Sequence, residues 1–114
     1  MGNRARRHTE EMTEKELQSA VIDLCKLFGW AYYHTYNSRR SVAGFPDLVL
    51  VRDRILFVEL KSEKGRLSEE QAVWADDIFT AGGEWHLVRP SDLTSFAHTL
   101  QSKVLGNGES EKTK

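Results

Sequence analysis

The sequence Gly44-Phe45-Pro46-Asp47, followed after eleven residues by Glu59-Leu60-Lys61, decides the fold of this chain. The intervening residues form two apolar runs, 48–51 and 55–58, on either side of a short polar segment. Two apolar runs separated in this way predict a β-hairpin. The hairpin would bring Asp47 back beside Glu59 and Lys61, at one edge of a sheet.

Two carboxylates and one amine at a sheet edge suit a divalent cation and a phosphate. Asp47 and Glu59 offer the hard oxygen ligands that Mg²⁺ or Mn²⁺ prefers, and Mg²⁺ keeps several waters, so few carboxylates suffice. Lys61 would steady an attacking water or the developing charge of a phosphate. Glu59 and Lys61 are two apart and share one face of their strand. The four apolar residues before them indicate a central strand, at whose end α/β folds commonly have their sites.

Structural interpretations of the same residues remain open at this point. An aspartate after a proline is typical of a turn in which the side chain bonds nearby backbone amides. Glu59 and Lys61 are also compatible with an exposed ion pair at a strand end. These interpretations need no metal and no substrate.

Two further polar residues are candidates for the site. Glu14 and Glu16 both lie at the start of a predicted helix, but Glu16 is better explained as part of its cap, so we prefer Glu14 as a further carboxylate. Gln71 is either the capping partner of Ser68 or a polar contact that positions Lys61 or the substrate.

The rest of the chain predicts the order α-β-β-β-α-β-α. Thr13 to Glu16 and Ser68 to Gln71 have the form of capping boxes, and the predicted helices run over about 13–28, 68–81 and 91–103. Strands 31–36 and 84–89 join the hairpin in a mixed sheet, with a right-handed parallel crossover through the second helix. The nearly continuous apolar hairpin strands predict helices on both faces of the sheet.

Composition indicates one ordinary globular domain. The chain has 114 residues, 39% of them hydrophobic and 29% charged, with a net charge of −1 that does not by itself indicate nucleic-acid binding. Cationic residues nevertheless flank the motif, at Arg39-Arg40 and at Lys64 to Arg66, where phosphate-binding groups would be useful. We expect a flexible basic tail at 1–12, a domain at 13–105 and a disordered tail at 106–114.

The single cysteine, Cys25, excludes an intramolecular disulfide and a cysteine-based zinc cluster. A reducing cytoplasm is therefore the expected setting. The histidines His34, His86 and His98 fall in three separate elements and do not suggest a metal site. No apolar run approaches the ~20 residues that span a bilayer, so we expect no membrane partner.

The combination of these segments resembles the VRR-NUC family of the PD-(D/E)xK nuclease superfamily. The resemblance implies a restriction-endonuclease-like α-β-β-β-α-β core and a Mg²⁺- or Mn²⁺-dependent endonuclease without a small-molecule cofactor. The residues that carry it are Thr13 to Gln18, Gly44 to Asp47, Glu59 to Ser62, Gly65 to Ser68, Gln71, Trp74, Ala81 to Gly83 and Val88 to Pro90.

The resemblance also implies roles for individual residues. Lys61 matches the catalytic lysine, and Gln71 matches a glutamine in the following helix. One departure is that Val88-Arg89 is followed by Pro90, which puts in doubt any role for a second arginine there. The implied metal ligands are Glu14, Asp47, Glu59 and the backbone carbonyl of Leu60.

Small members of this family resemble Holliday-junction resolvases, which implies a homodimer in a bacterial or phage-infected cell. Two sites related by a two-fold axis can cut two symmetric strands of a junction. We therefore predict a structure-selective DNA endonuclease that acts on branched DNA through its shape and phosphates. The alternatives are a flap or restriction-type nuclease, a non-catalytic DNA-binding module on the same fold, and an interaction protein with an acidic surface.

Overall fold

The computed structural model describes residues 12–36 and 42–103. The predicted order of elements is confirmed, and the chain is an α/β domain with a mixed sheet flanked by helices. The elements are α1 (Glu14–Phe28), β1 (Ala31–His34), β2 (Leu48–Val51), β3 (Ile55–Leu60), α2 (Glu69–Thr80), β4 (Glu84–Val88), a 3₁₀ turn (Pro90–Asp92) and α3 (Leu93–Gln101).

The predicted tails, 1–12 and 106–114, lie outside the described residues, apart from Met12. Met12 is half-buried and packs against the core, so ordered structure extends to that residue. Arg39 and Arg40 also lie outside the described residues. Within the described part of the chain, none of the helices combines the length and the apolar character that crossing a bilayer requires.

Both predicted capping boxes are present and begin their helices where expected. The Thr13 amide donates to Glu16 Oε1 over 2.9 Å, and the Glu16 amide donates to Thr13 Oγ1 over 3.0 Å. Ser68 and Gln71 make the same pair of bonds at the start of α2. Four backbone groups that a helix start would leave unpaired are thereby satisfied.

The third helix begins later than predicted. Its first turn is a 3₁₀ turn, because the Asp92 amide bonds the Arg89 carbonyl over 2.8 Å while the Asp92 carboxylate accepts from the Arg89 amide over 2.9 Å. This short-range pairing tightens the turn, and α3 itself starts at Leu93.

The sheet has the strand order β1-β2-β3-β4. β1 pairs with β2 and β2 with β3 in antiparallel fashion, whereas β3 and β4 are parallel. Helix α2 connects the parallel pair, as the sequence predicts. The carboxyl ends of β3 and β4 therefore meet at one end of the sheet, and the β2–β3 turn lies at the other end.

One face of the sheet carries the core. Leu56, Val58 and Leu60 alternate along β3 and pack against α1 and α3. Cys25 on α1 is fully buried there, and burial raises the pKa of its thiol to about 11, so it behaves as a small hydrophobe. The residues that complete this cluster are Leu17, Val21, Trp30, Leu48, Leu50, Val88, Phe96 and Leu100.

The other face is covered only in part, by α2. The Phe45 ring lies 6.1 Å from that of Phe57 and 5.0 Å from that of Trp74. At the turn end of the hairpin, however, Val51 is 44% exposed and Ile55 is 52% exposed. Helices therefore flank both faces of the sheet, as predicted, but α2 leaves these side chains at the turn end of its face exposed.

Arginines of the β2–β3 turn hold the ends of two helices to the sheet. The Arg52 guanidinium lies 4.4 Å from the centre of the Trp30 ring, a cation–π distance. It donates to the carbonyls of Phe28 at the end of α1 and of Leu100 in the last turn of α3. Trp30 Nε1 donates to the same Leu100 carbonyl over 2.8 Å. Cations at helix carboxyl ends also complement the helix dipole.

Arg52→Ala is expected to lower the free energy of unfolding by about 1–3 kcal/mol, because carbonyls of two helix ends lose a charged donor. Chemical denaturation followed by circular dichroism measures this difference. The matched control is Arg66→Ala, which removes an exposed arginine and should change the free energy by less than ~0.5 kcal/mol. Equal effects of the two substitutions would contradict the role assigned to Arg52.

Candidate active site

The segment before β2 packs tightly against the start of α2. Gly44 has φ 91°, and a Cβ atom at this position would lie 2.5 Å from the backbone carbon of Glu70. A side chain is therefore excluded here both by conformation and by space. The following residue, Phe45, packs between β3 and α2 as described above. This packing fixes the position of Asp47 relative to the first turn of α2.

The Asp47 side chain bonds across the hairpin. Its Oδ2 accepts from the Leu60 amide over 2.7 Å, which is not the local turn bond that an aspartate after proline suggests. On the other side, the Thr35 amide donates to the Asp47 carbonyl over 2.9 Å, and the Thr35 hydroxyl donates to the Pro46 carbonyl over 2.8 Å. Asp47 is thus held by both neighbouring strands.

The Glu59 carboxyl is buried beside Asp47. Glu59 is only 2% exposed and points to the α2 face of the sheet, opposite Leu60. Gln71 Nε2 donates to its Oε2 over 2.9 Å. Its other oxygen, Oε1, is buried and has no hydrogen-bond partner in the described part of the chain. We call Asp47 and Glu59 the acidic pair.

Burial, together with a hydrogen bond to the adjacent Asp47 carboxyl and the charge of that carboxyl, raises the pKa of Glu59 to about 9. The negative charge of Glu14 acts in the same direction, whereas the Lys61 ammonium lowers the pKa of Glu59. Without a cation, Glu59 is therefore protonated at neutral pH. The proton satisfies the Oε1 atom that is otherwise left without a donor.

Asp47 also borders an open cleft of about 590 Å³. Glu14 lines this cleft, whereas the Glu16 side chain caps α1, and this difference favours Glu14 as the additional carboxylate. The other residues that line the cleft are Lys15, Gln18, His34 and Leu60.

The acidic pair fits a divalent cation. A buried carboxylate oxygen without a donor, next to a second carboxylate, is satisfied by a cation as well as by a proton. The Leu60 amide donates to Asp47, and the carbonyl of a strand residue points to the same side as its own amide. The Leu60 carbonyl can therefore offer the cation a further oxygen. Among residues 12–36 and 42–103, no three His, Cys, Asp or Glu side chains form a ready-made cage. The ligand role of Glu14 therefore stays a prediction.

The loop after Lys61 is fixed by an arginine of β4's carboxyl end. The Lys61 amide donates to the Val88 carbonyl over 3.2 Å. Arg89 Nη1 lies within hydrogen-bonding distance of three loop carbonyls, those of Ser62 at 2.8 Å, Glu63 at 3.2 Å and Gly65 at 2.6 Å. The backbone that carries Lys61 is thereby attached to the neighbouring strand, which limits where its ammonium group can reach.

The predicted site residues lie together around the end of β3. Asp47 accepts from the Leu60 amide and lies against the Glu59 carboxyl, Gln71 bonds Glu59, and Lys61 acts electrostatically on Glu59. Gln71 caps α2, as one of the two interpretations predicts, and its Nε2 bonds Glu59 and not Lys61. A role for Gln71 in positioning the substrate stays a prediction.

Sequence reasoning missed the cleft-lining role of His34. The register of the antiparallel β1–β2 pair sets His34 opposite Leu48 and therefore beside Asp47, and no local pattern in the sequence gives that register. It also missed the function of Arg89, for which the chain offered no local signal. Both residues act through contacts between strands distant in sequence.

Two carboxyls and a lysine around the end of a central strand of an α/β sheet suit phosphodiester chemistry, and comparison with known proteins gives the class of the domain. A family model of the VRR-NUC domain matches residues 4–92. A solved structure described as a VRR_NUC domain has a TM-score of 0.64 at 20% identity, covering 76% of this chain and 97% of that one. No curated protein gives a match to the chain. This chain belongs to the VRR-NUC domain family, whose function is of the nuclease type.

In the metal-free protein, the free energy of unfolding is expected to fall as the pH rises from 4.5, the ordinary Glu pKa, towards about 9. Between these values the folded state keeps a proton on Glu59 that the unfolded chain has lost, so each pH increase favours unfolding, by at most ~1.4 kcal/mol per unit. Denaturation in EDTA at several pH values measures the slope.

The control for this pH dependence is a pair of substitutions. Glu59→Gln should remove the slope and stabilise the metal-free protein at pH 8, whereas Asp76→Asn, at an exposed position of α2, should leave the slope unchanged. If the slope survives in Glu59→Gln, the buried carboxyl is not its source.

Proposed function

We propose that this chain is a divalent-metal-dependent, structure-selective DNA endonuclease that hydrolyses phosphodiesters in branched DNA. The observation that carries the proposal is the acidic pair, two carboxyls held together at the end of β3, with one buried oxygen that lacks a donor among residues 12–36 and 42–103. Membership of a nuclease-type family supports the same chemistry. The metal, Mg²⁺ or Mn²⁺, is part of the proposal.

Each residue of the site has a distinct task in this mechanism. Asp47 and Glu59 would hold the cation, together with the Leu60 carbonyl and Glu14, and Gln71 keeps the Glu59 carboxylate oriented. When bound, the cation would polarise the phosphodiester and lower the pKa of a nearby water. Hydrolysis joins a water oxygen to phosphorus and breaks one phosphorus–oxygen bond, and the leaving oxygen takes up a proton. Lys61 would stabilise the negative charge that develops on the phosphate.

Branched DNA is proposed because selectivity by shape needs few contacts with base edges. The net charge of −1 gives no strong attraction to long duplexes, so recognition would depend on where a few phosphates lie. Holliday junctions are the first candidates, from the resemblance of small family members to junction resolvases. Flaps and plain duplexes with specific sites are the alternatives.

The proposal is tested by incubating the protein with Mg²⁺ or Mn²⁺ and a labelled four-way junction, a flap and a linear duplex. Lys61→Ala should retain DNA binding, measured by anisotropy without metal, and should cut about 100- to 1,000-fold more slowly, because one charge-stabilising group is lost. The matched control Lys26→Ala removes an exposed cation in the last turn of α1, away from the site, and should cut at nearly the normal rate.

Other outcomes of this panel identify the alternatives. Binding without cleavage of any substrate under either metal would mean a DNA-binding module. Discrete cuts at particular sequences of the plain duplex would mean a restriction-type enzyme. If Mn²⁺ titration by calorimetry gives no defined site, the acidic pair is only structural and the nuclease proposal fails.

We also propose that the protein is a homodimer. The side chains of Tyr33, Val51 and Ile55 lie on the face of the sheet that α2 leaves uncovered, and they are 59%, 44% and 52% exposed. We call these three residues the open patch. Apolar surface of this kind is typical of protein–protein interfaces, and it offers no charge to DNA. A second copy that covers it would bring two sites into one symmetric particle.

Ile55→Lys is expected to convert a dimer into a monomer, since it buries an unpaired charge in each half of the interface. Sedimentation equilibrium at micromolar concentration measures the change in mass. Leu27→Lys, which alters a 71% exposed apolar residue on α1, should leave the dimer intact. A monomeric unmodified protein, or a dimer that withstands Ile55→Lys, would exclude dimerisation through the open patch.

A further inference from the structure

The edge strand β1 and its extension carry three rings on one side. Tyr32, His34 and Tyr36 are two residues apart, so they share a side of the extended chain. Tyr32 is paired with Leu50 and His34 with Leu48, both of which point to the core face of the sheet. The three rings, which we call the ring row, therefore lie on the α1 side. This is the side on which the cleft opens.

His34 connects the ring row to the candidate active site. It lines the cleft together with Glu14 and Asp47, and its ring centre lies 5.3 Å from that of Tyr36 with the planes inclined by 46°. The two bonds from Thr35 to the carbonyls of Pro46 and Asp47 fix the backbone between these two rings. The ring row and the acidic pair are consequently held in a constant relation to each other.

The outer members of the ring row are largely uncovered. Tyr36 is 73% exposed and Tyr32 is 40% exposed, so the core does not require their rings. Exposed aromatic faces beside a nucleic-acid site are surfaces on which bases stack, with little regard for sequence. Lys15, which lines the same cleft, adds a cation that suits the phosphates of such a strand.

The spacing of the ring row selects unpaired bases over a duplex. Residues two apart along a strand are separated by about 6.6 Å, whereas successive bases of a duplex strand are about 3.4 Å apart. A stacked duplex therefore cannot set one base on each ring. Bases that have separated from one another, as at a fork or a flap, can do so.

We propose that the ring row is a subsite for one or two unpaired nucleotides beside the cleft, so that branched DNA with single-stranded nucleotides at the branch is bound more tightly than fully paired DNA. This inference rests on the proposed nuclease function, because a subsite beside the cleft matters for cleavage only if the acidic pair cuts DNA. Binding of nucleotides at the ring row does not itself require catalysis. Tyr36 holds a base by stacking, and His34 positions that base relative to the acidic pair.

The test is binding in EDTA, so that catalysis plays no part. The probes are a fluorescent forked duplex with short oligothymidine arms, the same fork with abasic sites in the arms, and a blunt duplex. Tyr36→Ala should weaken binding of the normal fork by about 5- to 150-fold, the range for loss of one stacked base, and should leave the blunt duplex unchanged. Tyr36→Phe keeps the ring and should bind the fork normally.

Two further comparisons isolate stacking. The unmodified protein should bind the abasic fork more weakly than the normal fork. Tyr36→Ala should not weaken binding of the abasic fork any further, because the ring and the base form one interaction and the base is already absent. Phe79→Ala removes a ring that is 77% exposed on α2, near the opposite end of the sheet, and should change neither probe. Equal binding of the two forks by the unmodified protein would overturn the subsite, even if Tyr36→Ala failed to fold.

The two proposals fail separately. If fork binding depends on Tyr36 but no DNA is cleaved with either metal, the subsite is supported and the nuclease proposal is excluded. If branched DNA is cleaved but Tyr36→Ala does not change the ratio of the affinities for the fork and the blunt duplex, the nuclease proposal is supported and the subsite is excluded.

Discussion

Burial of the Glu59 carboxyl beside Asp47 is the constraint on which the site depends. Two neighbouring carboxylates removed from water cannot both be ionised unless a positive charge compensates them. The fold supplies one donor to Glu59, from Gln71, and the partial compensation of the Lys61 charge. One oxygen is left without a donor among the described residues. The arrangement is therefore incomplete until a proton or a cation occupies it.

The protein tolerates this arrangement because the surrounding bonds leave the carboxyls no alternative position. Asp47 is tied to the Leu60 amide, and its backbone is tied to Thr35. Gly44 lets the start of α2 approach so closely that Gln71 reaches Glu59. At the opposite end of the sheet, Arg52 joins two helix ends to the hairpin.

The sequence predicted the elements well because each has a local signal. The capping boxes at Thr13 and Ser68 fixed two helix starts, and the apolar runs fixed the hairpin that joins Asp47 to Glu59. Three features had no such signal. The three carbonyl contacts of Arg89 depend on the path of a loop, the role of His34 depends on strand register, and the exposure at the turn end of the sheet depends on how α2 packs across it. Each is a long-range property that local patterns do not contain.

The double role of Gln71 explains why local and functional interpretations of this chain could both be correct. Its Oε1 accepts from the Ser68 amide at the start of α2, while its Nε2 donates to Glu59. Asp47 likewise supports the hairpin through Leu60 while it faces Glu59. Stability and site geometry therefore change together when either residue is altered.

Lys61 differs, because within the described residues its ammonium group acts on Glu59 by charge alone and makes no hydrogen bond that supports the fold. Among the residues around the acidic pair, it is the one whose loss reports on chemistry with the least disturbance of structure.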